Sequence, residues 1–136
     1  MSDYRIIFTN ADGGVSIIIP APGVAEEQAA AAVPDGVPYE VVSVSALPQD
    51  RTFRNAWERN GQTVEHNMAK AREIAHAKRR EARAVEFAQL DIEATIPAKA
   101  VEAEAKRQVV RDKYSVMQTE IDAATSIEEL KASVQR

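Results

Sequence analysis

From Thr63 to Ile96 the chain contains neither proline nor glycine. Nothing in that span stops a helix, which could run for about thirty residues, or roughly 45 Å at 1.5 Å rise each. Thr63 is placed to cap it, with Glu65 in its first turn. Val64, Met68, Ala71, Ala75, Ala82 and Val85 follow a 4-3 spacing that Lys78 and Gln89 interrupt. Alanine at such positions permits close helix approach but contributes little burial, so a long dimeric coiled coil on this seam alone would be weak. Phe87, Leu90, Ile92 and Ala94 add a second apolar cluster.

Pro97 suits the first turn of a further helix. On it, Ala98, Val101, Ala105 and Val109 form an apolar stripe, with Lys106, Arg107 and Arg111 largely outside it. The spacing is compatible with an αα-hairpin and with a kinked continuation. Residues 114–125 read as the most flexible connection. Ser126-Ile127-Glu128-Glu129 is a capping box opening a last short helix, on which Ile127, Leu130 and Val134 share a face.

The first third reads differently. Tyr4-Arg5-Ile6-Ile7-Phe8-Thr9 and Val15-Ser16-Ile17-Ile18-Ile19 flank Asn10-Ala11-Asp12-Gly13-Gly14, the chemistry of a β-hairpin. Val24 to Val33 reads as a short Ala-rich helix, broken by Pro34-Asp35-Gly36-Val37-Pro38. Tyr39 to Val44 is a third strand. The fold class is therefore α+β: a small three-stranded unit over 1–48 with one short helix, then a long-helix C-terminal half over 63–136.

Between them, 49–62 reads as an aromatic linker helix. Asp50 would be its N-cap and Gly61 its C′ residue. Phe53 and Trp57, spaced i, i+4, would stack on one face, with Arg51, Arg54 and Glu58 pointing away. Two roles suit the pair: pinning the N-terminal half onto the helices, or anchoring a partner chain. Trp and Arg are common interface anchors, which makes Arg51, Phe53, Arg54 and Trp57 the candidate partner-binding residues.

The chain has 136 residues and a formal net charge of −4, a balance that weighs against nucleic acid as the main partner. With no cysteine, disulfides, zinc–thiolate sites and cysteine nucleophiles are excluded. The start of the chain lacks a signal-peptide pattern, and the apolar run at Ile17-Ile18-Ile19 is far too short to cross a bilayer. His66 and His76, ten residues apart on one expected helix, would lie roughly 15 Å apart and could not share a metal. No recognisable nucleophile, base or phosphate loop accompanies the acidic pairs, so no enzyme activity, metal or cofactor is expected. One charge feature stands out: Lys70, Arg72, Lys78, Arg79, Arg80 and Arg83 face only Glu73 and Glu81 over fourteen residues. This basic helix patch would lie along phosphates, form local ion pairs, or dock the acidic N-terminal unit.

Several segments resemble a family of small proteins encoded by tailed bacteriophages and prophages. They are Tyr4-Arg5-Ile6-Ile7, Asp12-Gly13-Gly14-Val15, Ile18-Ile19-Pro20-Ala21-Pro22, Leu47 to Trp57, Ala69 to Ile74, Leu90-Asp91, Arg111-Asp112 and Ala123 to Lys131. The specific block is Asp50-Arg51-Thr52-Phe53-Arg54-Asn55-Ala56-Trp57, while the last residues, Ser133 to Arg136, depart from the pattern. The resemblance implies a phage structural or assembly protein in a tail or tail-fibre setting and brings no catalytic residues. The expectation is a non-enzymatic virion component, present in several copies and contacting other phage structural proteins of the tail, fibre or neck. It would reside in the virion or, during assembly, in the host cytoplasm, with no membrane partner. The alternatives are an assembly chaperone absent from the mature particle and a nucleic-acid-binding accessory protein using Lys70–Arg83.

Overall fold

The computed structural model describes residues 3–135. It is α+β, and it divides into two compact units, Met1–Asn67 and Met68–Arg136.

In the first unit, β1 (Tyr4–Thr9) is the central strand of an antiparallel sheet, between β2 (Val15–Ile18) and β3 (Tyr39–Ser43). The hairpin expected between β1 and β2 is present, with Ile7 opposite Ile17 and Thr9 opposite Val15. Asn10 organises its turn: the side-chain oxygen accepts from the backbone N–H groups of Asp12 and Gly14. Gly13 supplies the positive φ of 82° that the turn needs. The short helix α1 (Glu26–Ala30) covers one face of the sheet, where Ile6, Ala29 and Val33 are buried. On the other face Ile7, Val15, Val42 and Trp57 form a second cluster. Both faces of β1 are thus covered, which is why two adjacent residues, Ile6 and Ile7, are both fully buried.

The stretch expected as a linker helix is not one. Arg54–Ala56 makes a single 3₁₀ turn, and then β4 (Trp57–Asn60) and β5 (Thr63–His66) form a second hairpin. Asp50 caps no helix; its carboxylate accepts from the Thr52 N–H and hydroxyl in a local turn. Gly61 has φ +61°, but in a two-residue hairpin loop rather than after a helix. Thr63 opens a strand, and the long helix starts only at Met68. The physical reason lies in Trp57. As the first residue of β4 its ring enters the cluster with Ile7, Val15 and Val42, a burial that a solvated linker helix would not give it.

The second unit comprises α2 (Met68–Glu93), α3 (Ala100–Ala123) and α4 (Ile127–Val134). Of the two arrangements left open by the sequence, the helices fold back: Asp91 meets Arg107, Glu86 meets Lys113 and His76 meets Asp122, so α2 and α3 run antiparallel. Arg72 donates to the backbone carbonyls of Ile121 and Ala124, satisfying the open end of α3. The capping box at Ser126 forms as expected, its hydroxyl accepting from the Glu129 N–H while the Glu129 carboxylate accepts from Thr125 N–H.

Residues 114–125, expected to be a flexible connection, instead complete α3, where Tyr114, Met117 and Ile121 are buried. The face is different too. Ala103, Val110, Tyr114, Met117 and Ile121 point inward, while Val101, Ala105 and Val109 lie on the outside. One residue of helix turns the side chain by about 100°, and Val109 and Val110 were equally apolar candidates. At roughly 12 Å, α4 is about a third the length of α2. It packs on both long helices near their open end, where α2 begins and α3 ends, and leaves the loop end, around 94–99, as two helices only.

Candidate functional site

In the first unit the four candidate partner-binding residues do come together, though two of them are core. Phe53 and Trp57 are each 1% exposed, so neither ring is free to anchor a partner. The indole N–H donates to His66 Nε2 at 3.2 Å, and the two rings meet edge-on. Arg51 and Arg54 do not point away from Trp57 as expected. Their guanidinium carbons lie 5.6 and 4.6 Å from its ring centre, a double cation–π arrangement. Arg54 also donates to the Val15 carbonyl at 2.7 Å. Burial, and then the neighbouring Arg51 charge, lowers the Arg54 pKa.

Beside this stack runs a groove of about 530 Å³, with Ile17, Ile19, Val44 and Leu47 as its apolar wall and Arg51 and Arg54 as its cationic one. Ile19 and Val44 are exposed. Neither was legible as a site residue, because their meeting depends on pairing through β1.

In the second unit the basic patch does not form one surface. Arg72 is engaged at the end of α3, and Lys70 and Lys78 lie away from the face that meets α3. Arg79, Arg80 and Arg83 instead line a cleft of about 520 Å³, joined across the gap by Arg107 and Arg111. Phe87 sits within it, with the Arg83 and Arg111 guanidiniums 4.6 and 6.0 Å from its ring centre. Arg107 pairs with Asp91 and Glu104, and Arg111 with Glu104. The Arg111 hydrogen bond holds the Glu104 carboxyl below its ordinary pKa against desolvation, with lesser help from the Arg111 and Arg107 charges. Arg79, Arg80 and Arg83 form no ion pair with any described residue. Burial lowers the Arg79 pKa, and the charges of Arg80 and Arg83 lower it further against the smaller opposing charge of Asp122.

The two histidines serve packing and hydrogen bonding in separate units, His66 under Trp57 and His76 between Arg79 and Asp122. His66 lies in β5, not on the helix expected to carry it. Among the described residues no three His, Cys, Asp or Glu side chains gather at metal-binding spacing. No helix among them is long and apolar enough to cross a membrane.

The helical unit carries one more feature. Large apolar side chains stand on its outer faces: Val85 and Ile92 on α2, and Val101, Val109 and Val116 on α3, with Val101 86% and Val85 71% exposed. Comparison of the chain with family models, curated proteins and solved structures finds no match.

Proposed function

We propose that the protein is a non-enzymatic bacteriophage component of the tail, neck or fibre attachment that works through protein–protein contacts, in several copies per particle. The observation that carries this reading is the pair of apolar rows on the outside of the helical hairpin. A unit of two long helices and one short one buries little surface by itself, and small α-helical units reach stability by packing against further helices. Val85 and Ile92 are seven residues apart on one helix face, and Val101, Ala105, Val109 and Val116 share a face of the other. Repeated copies or a larger partner would bury both rows. The sequence resemblance favours phage structural proteins as that partner, and the groove beside Trp57 offers a second contact, apolar with a cationic edge.

Mass spectrometry of purified particles tests it. A fixed copy number relative to the major tail protein, in a multiple that a symmetric ring allows, is the expected result. Absence from particles despite expression during infection would replace this reading with that of an assembly chaperone.

A further inference from the structure

The cleft between α2 and α3 has a charge balance unlike the rest of the hairpin. Elsewhere two lysines pair with neighbouring carboxylates: Lys106 with Glu102, and Lys113 with Glu86. Asp91, the one carboxylate among the described residues lining the cleft, sits at its Arg107 end, and Glu104, outside the lining, pairs with Arg107 and Arg111. The other end holds Arg79, Arg80 and Arg83; none forms an ion pair with a described residue, although Asp122, reached through His76, offsets part of the Arg79 charge. Those three span four residues of helix, or about 6 Å along the axis. They are arginines, not lysines, and the planar guanidinium fork matches phosphate oxygens two at a time. Mutual repulsion is built in, and an anion placed among them would relieve it.

From this geometry we propose that the cleft is a binding site for a phosphate polyanion, held by Arg79, Arg80 and Arg83 with Arg111 facing them across Phe87. A polyphosphate or phosphodiester chain delivers several charges within the 6 Å that the three arginines span. An extended acidic peptide delivers one charge per carboxylate, with same-side carboxylates about 7 Å apart. Phe87 is flanked by guanidiniums on its faces, so it is a spacer for them rather than a platform for a nucleobase. Recognition is therefore of phosphate and not of base. This site differs from a basic helix lying along phosphates, since Lys70 and Lys78 stand outside it and a third of its wall comes from α3. The inference does not rest on the phage reading.

Calorimetric titration of the full chain at low salt, with inorganic tripolyphosphate and with an oligothymidine, tests it. Both are expected to bind, and the double substitution Arg80→Ala with Arg83→Ala should weaken each at least tenfold. Lys106→Ala, outside the cleft, should change neither. For the oligothymidine, log affinity against log salt should slope at about −2, from roughly −0.7 per phosphate for three contacts, and flatten to about −0.7 in the double variant. Tighter binding of the oligothymidine identifies a nucleic-acid strand as the source of the phosphate; tighter tripolyphosphate identifies a small polyphosphate. Absence of binding by both probes, affinities and salt slopes unmoved by the double substitution, or tighter binding of polyglutamate than of either phosphate probe would overturn the proposal. The last result would make the cleft a dock for an acidic protein.

Discussion

Replacing Trp57 by alanine probes the first unit at the point where its two sheets meet. The ring is 1% exposed and packs with Ile7, Val15 and Val42. Truncating a buried aromatic costs about 3–5 kcal/mol, counting lost transfer energy and the cavity left behind. The indole N–H bond to His66 adds about 1 kcal/mol. The stacked Arg51 and Arg54 add about 0.5–1 kcal/mol each, terms that do not sum independently. A total near 5 kcal/mol rivals the whole stability of a unit this size, about 3–10 kcal/mol. Trp57→Ala is therefore expected to unfold the β unit, whereas Trp57→Phe, which keeps most of the burial, should cost about 1–2 kcal/mol. Because Trp57 is the sole tryptophan, tryptophan fluorescence cannot follow the change. Amide hydrogen exchange in β1, β2 and β3, read residue by residue by NMR, can. Protection of the Ile6, Ile7 and Val42 amides within 1 kcal/mol of the parent in Trp57→Ala would refute the claim that this ring organises the sheet.

Four further outcomes follow from single contacts. Gly61→Ala forces a side chain into φ +61° and should cost about 1–2 kcal/mol by thermal melting, although no atom crowds the position; an unchanged melt would mean the loop refolds. Tyr114, whose hydroxyl donates to Glu86, is pushed up to about 12, by burial first and then by the Glu86 bond and charge. Protonated tyrosine is thus favoured in the folded state, so this contribution is complete below about pH 10 and is lost as pH rises toward 12; Tyr114→Phe should remove the late step from an ultraviolet titration. On the acid side, the Tyr114 hydrogen bond, with Lys113, holds Glu86 below its ordinary value against the cost of burial, so stability falls as pH drops through the lowered carboxyl pKa; Glu86→Gln should flatten that limb of a melting-versus-pH curve. Val101→Ser with Val109→Ser should move the melting of the isolated chain by about 0.5 kcal/mol or less per site and, on the virion role proposed above, lower its incorporation into particles.

The sequence made some of this legible because the signals were local. Asn10 to Gly14 carries its own turn chemistry, and Ser126 to Glu129 its own cap, so both are read correctly without knowledge of the rest. The β4–β5 hairpin was missed because Gly61 satisfies two rules at once: a glycine after a helix and a glycine in a two-residue hairpin loop both take positive φ. Only the long-range fit of Trp57 beneath β1 and β2 decides between them. The inward face of α3 was misplaced for a related reason: Val101 and Val109 compete with Val110 and Met117, and the choice is made by α2 and α4, not by α3. Arg107 and Arg111 were invisible as partners of Arg79, Arg80 and Arg83 until the chain turned back at 94–99.

That turn has one more consequence. With α4 clamped over the open end, opposite that turn, the hairpin is three helices thick at one extremity and two at the other. Resistance to opening must then be graded along its length, highest near Ile121 and Leu130 and lowest around Ile96. The loop end is a spring with one fixed foot. A partner that grips Val101 and Ile92 there can splay or tighten the helices cheaply and leave the capped end undisturbed, so the hairpin can adjust to a neighbour's contour while its base keeps register.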